Sequence, residues 1–232
     1  MHKRSKLYQA KLALIDRQKL YALPEAMSAL KQMPACKFDE TVELAIRLGV
    51  DTRQSDQVVR GAVTLPHGTG KKIRVAVIAS GDAATAAQAA GADIVGFEEL
   101  LERIKGGWLE FDVMIATPAA MQKVRTLGKV LGPRGLMPNP KTGTVTDNTA
   151  TAVKEAKAGR VEYRADKGGV VHVPVGKLSF QPEKLAENAL AVLHAVERAR
   201  PSSTKGSYLL GLTVSSTMGP GVKVDLREVA KA

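Results

Sequence analysis

The chain has 232 residues, 44% hydrophobic and 25% charged, which is enough apolar material for a core in one large domain or two small ones. Its net charge of +11 makes a polyanion the first partner to consider. An aromatic content of 4% argues against gripping single strands by serial base stacking, and one cysteine, Cys36, excludes an internal disulfide.

The N-terminal segment MHKRSKLYQAKLALIDRQK reads as a charged helix. It holds no apolar run long enough for a signal peptide or a membrane span, so a cytoplasmic protein with no membrane partner is expected. Cys36 reads as a small buried apolar residue. In ETVELAIRLGV, residues 40–50, Val42, Leu44, Ile46 and Leu48 share one face, while Glu43, Ala45 and Arg47 share the other. That alternation marks a strand with one covered face.

Residues 73–159 change style. IRVAVIA and DVMIA are continuous apolar runs, the mark of strands buried on both faces. Ala-rich helical segments follow them, DAATAAQAA and PAAMQKVRTLGKVL, and DIVGF followed by EELLERIK forms a shorter unit. This β-α-β-α order implies a small parallel sheet with helices on both faces. Ser80-Gly81-Asp82 lies where a strand meets a helix, with Asp82 read as the N-cap. The stretch LGPRGLMPNPKTGTV, residues 131–145, is rich in proline and glycine, holds two cations and no acid, and is too apolar for a disordered linker.

The half-buried style then returns. VEYRA and VVHVPV flank Asp166-Lys167-Gly168-Gly169 and read as a hairpin. PEKLAENALAVLHAVERARP, residues 182–201, carries the helical stripe Leu185, Ala189, Val192, Leu193 and Val196. YLLGLTVSS places Leu210, Leu212 and Val214 on one side of a strand.

The expected fold is therefore an α+β two-layer domain formed by both termini, 1–67 plus 160–232, with an inserted α/β Rossmann-like three-layer domain, 68–159. The turn-rich transitions put hinge glycines at Gly68, Gly70 and Gly159. Residues 68–159 carry net +3 and the remainder net +8, so the terminal domain is the better candidate for binding an anion.

Catalytic chemistry is not visible. The histidines are scattered, a zinc site is improbable with one cysteine, and GTGKK at 68–72 fails as a phosphate loop because Lys72 stands where Ser or Thr is needed. No cofactor or metal is expected. An α/β enzyme on a phosphorylated small molecule remains a rival suggested only by the parallel-sheet segment.

Several motifs in one order carry a family resemblance. VLGPRGLMPNPKTGTVT strongly resembles the signature segment of the bacterial large-subunit ribosomal protein L-one family. KFDETVELAIRLGVD and SDQVVRGAVTLPHGTGK resemble its first strands and hinge, and GRVEYRADKGGVVHVPVGK and SSTMGPGVKVD its later strands. Ala165 departs from an expected Asn and Ser216 from an expected Thr. The resemblance implies a structural protein of the mobile stalk of the large ribosomal subunit, binding a bent helical region of its rRNA directly. It also implies help in releasing deacylated exit-site tRNA and repression of its own operon mRNA. The protein would be a monomer off the ribosome, ribosome-associated in the cytoplasm. A dedicated mRNA repressor that never joins a ribosome would need the same RNA surface.

By that resemblance the RNA patch joins the start of the first strand, the DKGG turn and the TMGPG turn. Lys37 and Lys167 would neutralise phosphates and Phe38 would pack on a sugar or base. Thr41 and Glu43 would bond 2′-hydroxyls, and Gly169 and His172 lie in the patch. Thr217, Met218 and Gly219 would offer a hydroxyl, an apolar contact and bare backbone, which suits the shallow minor groove of A-form RNA. Phe38 as a core residue, Glu43 as a solvated face and Thr217 with Gly219 as a simple turn stay open. Arg134 and Lys141 are candidate secondary contacts to rRNA or tRNA, on a segment that carries five cations and no acid from Val113 to Thr146.

Overall fold

A computed structural model describes residues 4–229, the side chains of residues 55, 141, 228 and 229 excepted. The protein is mixed α/β and divides into two compact units, Met1–Gly70 with Val161–Ala232, and Lys71–Arg160. In chain order the first contributes α1 (Lys6–Ala13), α2 (Leu23–Lys31), β1 (Thr41–Leu48) and β2 (Arg60–Thr64). The second holds β3 (Val75–Ile78), α3 (Asp82–Ala89), β4 (Ile94–Gly96), α4 (Glu98–Lys105), β5 (Val113–Ala116), α5 (Pro118–Val124), α6 (Gly128–Leu131) and α7 (Thr149–Lys157). The chain then returns with β6 (Arg160–Arg164), β7 (Val170–Lys177), α8 (Pro182–Arg198), β8 (Leu209–Ser216), β9 (Val222–Val224) and α9 (Leu226–Val229).

In the terminal unit a four-stranded sheet runs β7-β1-β8-β9, with β1 antiparallel to both neighbours. Val42, Leu44, Ile46 and Leu48 of β1 are buried, as the alternation requires. They join Val171, Val173 and Val175 of β7 and one face each of α2 and α8 in a single core. The whole apolar stripe of α8, from Leu185 to Val196, is buried there, each large side chain contributing about 1.5–3 kcal/mol. The other face carries Glu43, Ala45 and Arg47, and Leu226 and Arg227 of α9 line a groove beside it with Ala45, Arg47 and Thr213.

Four local readings change. The residues flanking Asp166–Gly169 do not stay together as a hairpin. β6 pairs with β2 in its own two-stranded sheet while β7 joins β1, leaving only an isolated bridge, Ala165–Val171, at the turn. Leu210 has the parity of the buried Leu212 and Val214 but is 51% exposed. Arg47 pairs with Gly211 and Leu48 with Leu209, so Leu210 is the extra residue of a bulge and is turned outward. PAAMQKVRTLGKVL breaks into α5, a short 3-10 turn over Arg125–Leu127, and α6. The N-cap of α3 is Gly81 at φ +62, with Asp82 the first helical residue.

In the second unit the parallel sheet runs β4-β3-β5. Ala76 and Ile78 of β3 enter a core with Leu100, Ile104 and Met114, while Val75 and Val77 enter another with Ala87 and Val153. A strand that feeds two cores must be apolar at every position, which is why IRVAVIA shows no alternation. The Pro- and Gly-rich segment docks by its own apolar residues: Leu131 is buried, Leu136 and Met137 pack on the first core, and Val145 bridges Ala116. The Asn139 carbonyl accepts the amides of Thr142 and Thr144, both at 3.2 Å, which closes the loop.

Candidate nucleic-acid interface

The start of β1 and the end of β8 meet at one edge of the four-stranded sheet. The Thr41 amide donates to Thr217 Oγ1 at 3.0 Å, and the Thr217 amide donates to the Thr41 carbonyl at 3.1 Å. Lys177 Nζ donates to Thr41 Oγ1 at 2.9 Å. Asp39 accepts the Ser179 hydroxyl at 2.8 Å and amide at 3.1 Å, which fixes the segment carrying Lys37 and Phe38. Both of those side chains are exposed. Phe38 is 53% exposed and Met218 52%, so neither belongs to the core. Both lie on the surface, beside the exposed Lys37 and Thr217.

Under this edge lies a buried ion pair. Glu40 Oε1 accepts Lys11 Nζ of α1 at 2.6 Å, with both side chains fully buried. Glu40 Oε2 accepts the Ser216 hydroxyl at 2.7 Å and the Met218 amide at 2.9 Å. Burial pushes the Glu40 carboxyl up, but the Lys11 ammonium, the Met218 amide and the Ser216 hydroxyl together outweigh it and hold it down at about 2. Cys36 is half-buried rather than a core residue, with Sγ 3.8 Å from Lys11 Nζ. The hydroxyl of Ser216 is the feature this network uses, and Ser and Thr share it.

From this edge the outward face extends along β1. Glu43 lies between Pro174 and Ser215, Ala45 between His172 and Thr213, and Arg47 between Val170 and Gly211, while Thr213 pairs onward with Lys223. Glu43, Arg47, His172 and Lys223 are exposed. The turn carrying Lys167 and Gly169 lies at the far end, where the Leu48 amide donates to the Gly169 carbonyl at 2.8 Å. Thr41 and Leu48 are seven residues apart, roughly 23 Å of strand. The expected patch is thus not one cluster. Lys37, Phe38, Thr41, Thr217, Met218 and Gly219 gather at one edge, Glu43 and His172 lie between, and Lys167 with Gly169 sits at the opposite edge.

The DKGG turn is built by Asp166, whose Oδ1 accepts the Gly168 and Val170 amides at 2.8 and 2.9 Å. Those backbone amides hold its carboxyl below the usual range. Lys167 is exposed and its carbonyl accepts Thr52 Oγ1 at 2.9 Å, so backbone and not side chain is tied down. In the second unit Arg134 is exposed, while the side chain of Lys141 lies outside the described residues. Of the candidate hinge glycines, Gly68 and Gly70 fall in the terminal unit at φ +65 and +72, and Gly159 in the second at φ +100. The Gly68 carbonyl accepts the buried Asn188 amide at 3.0 Å.

Sequence reading passed over Arg47, Lys223 and the Lys11–Glu40 pair. Arg47 was within reach, since it shares the parity of Glu43. Lys11 and Glu40 are 29 residues apart, and no local pattern joins them. Among the described residues no group of three or more His, Cys, Asp and Glu could hold a metal ion, and no helix is long and apolar enough to cross a membrane.

The chain is basic, with net charge +11, and this sheet face and its Thr217–Met218 turn are exposed. The family model described as "Ribosomal protein L1p/L10e family" matches residues 29–220. The chain is 59% identical to the large ribosomal subunit protein uL1 of Methylobacillus flagellatus over 97% of its own length and 98% of the relative's. It is 54% identical to the uL1 protein of Paraburkholderia phytofirmans over 99% of each chain, and 55% identical to that of Burkholderia lata over 97% of each. The chain belongs to this ribosomal protein family. It is a structural protein of the large ribosomal subunit, associated with the rRNA of that subunit and serving translation, not an enzyme.

Proposed function

We propose that the terminal unit, 1–67 with 160–232, is the rRNA-binding part of the protein, and that RNA lies along the outward sheet face from the Thr41–Thr217 edge toward Lys167. The observation that carries this is a sheet with one face sealed by α2 and α8 and the other lined by Glu43, Arg47, His172 and Lys223. Lys37 and Lys167 neutralise phosphates. Phe38 and Met218 pack on sugars or exposed bases. Glu43 and Thr41 bond 2′-hydroxyls, for which a carboxylate is a good acceptor and a phosphate contact is not. Gly169 and Gly219 let backbone approach closely.

The second unit, 68–159, is an inserted Rossmann-like domain, and the backbone at Gly68, Gly70 and Gly159 is its hinge. Its acid-free segment with Arg134 and Lys141 makes the secondary contact, to rRNA or to exit-site tRNA during release. The same surface of the terminal unit binds the operon mRNA in autogenous repression, and the free protein is a monomer. Filter binding of the full chain to a transcript of the stalk rRNA region tests the main reading. Met218→Ala and Phe38→Ala should each weaken binding about tenfold, the loss of one well-packed contact. Full affinity in both variants overturns it.

A further inference from the structure

The Thr217–Met218–Gly219 turn is exposed, yet its backbone is anchored from beneath by a charge. Glu40 Oε2 takes both the Met218 amide at 2.9 Å and the Ser216 hydroxyl at 2.7 Å, while Oε1 takes Lys11 Nζ at 2.6 Å. A Cβ at Gly219 would come within 2.4 Å of Ser216 Oγ, so glycine there leaves that hydroxyl room to point at Glu40. Lys11 is the buried residue of α1, a helix with scarcely any apolar face to dock. A buried carboxylate needs a countercharge and hydrogen bonds to all its lone pairs. Lys11 supplies the first and the turn supplies the second.

The geometry points to Glu40, balanced by Lys11, as the positioning residue for the RNA-contacting turn: it touches no RNA but sets where the Met218 backbone and side chain are presented. This rests on the reading of that edge as the rRNA surface. It makes α1, which carries no exposed site residue of its own, part of the recognition apparatus.

Two full-length double variants separate positioning from charge. Lys11→Met with Glu40→Gln removes the ion pair but keeps an amide oxygen to accept from Ser216 and Met218. Lys11→Met with Glu40→Leu removes the acceptor as well. On the rRNA transcript the first should bind within about threefold of the parent and the second about tenfold or more weaker, the loss of a preorganised contact. The salt dependence of log K should be unchanged in both, since no phosphate contact is lost. Hydrogen exchange of the Met218 amide should accelerate in the Leu variant alone, under conditions where circular dichroism shows it folded. Should the Leu variant not fold, Ser216→Ala, which keeps both charges, should weaken binding a few-fold with its salt slope unchanged.

Parent-like affinity in a folded Leu variant, or parent-like affinity in Ser216→Ala where the Leu variant does not fold, overturns the proposal. So does equal loss in the Gln and Leu variants. Met218→Ala separates the two failures: full affinity there means the edge is not the RNA surface, whatever Glu40 does.

Discussion

Thr217 Oγ1 is held by Thr41, accepting its amide at 3.0 Å and lying 3.3 Å from its carbonyl as a donor. The hydroxyl of this exposed residue therefore ties β1 to the turn after β8, which its position in the TMGPG motif does not reveal. Thr217→Val should cost about 1 kcal/mol of stability, because the Thr41 amide loses its acceptor. It should also weaken rRNA binding through the displaced turn. Chemical denaturation and filter binding on the same variant check both; an unchanged midpoint would mean that bond contributes nothing.

The Glu40 carboxyl sits at about 2 against an ordinary value of 4.5, so it supports folding while ionised. A depressed folded-state value gives stability that is complete above about pH 4.5 and lost as pH falls toward 2, on the order of 3 kcal/mol for this group. Asp93, Asp112 and Asp166 are depressed too and will add to the acid slope. Denaturant melts between pH 5 and 2.5 should show a flatter acid limb for Lys11→Met with Glu40→Gln than for the parent.

Gly143 stands at φ +67, and a Cβ there would meet Arg160 Nη2 at 2.4 Å. That guanidinium bonds the Thr142 carbonyl and pairs with Glu155. Gly143→Ala should destabilise the second unit by about 1–3 kcal/mol through backbone strain and a displaced arginine. Differential scanning calorimetry should show the loss, while Gly135→Ala, also at positive φ but in open space, should cost less.

Lys167 and Arg47 are exposed cations at the far end of the proposed surface. Each alanine substitution should reduce the magnitude of the log K against log salt slope by about one unit. Arg134→Ala should weaken binding to the isolated stalk transcript only a few-fold, less than Met218→Ala, because a single screened cation contributes little. A larger loss from Arg134→Ala than from Met218→Ala would move the primary surface to the second unit.

Much of this protein is written locally. Alternation in ETVELAIRLGV determined which residues of β1 are buried, since successive side chains of a strand point to opposite faces. Unbroken apolar runs marked β3 and β5 as two-sided, and the stripe of α8 followed from helical period. Five motifs in order were enough for the family. Tertiary structure alone decided the rest. The residues around DKGG part into two sheets because β7 finds β1 and β6 finds β2, partners about a hundred residues away or more. Leu210 turns outward because β1 and β8 slip register by one residue at Arg47–Leu48. Lys11, Glu40 and Ser216 meet across 29 and 176 positions because a buried carboxylate must find both a countercharge and donors, a demand that fixes contacts in space and leaves no period along the chain.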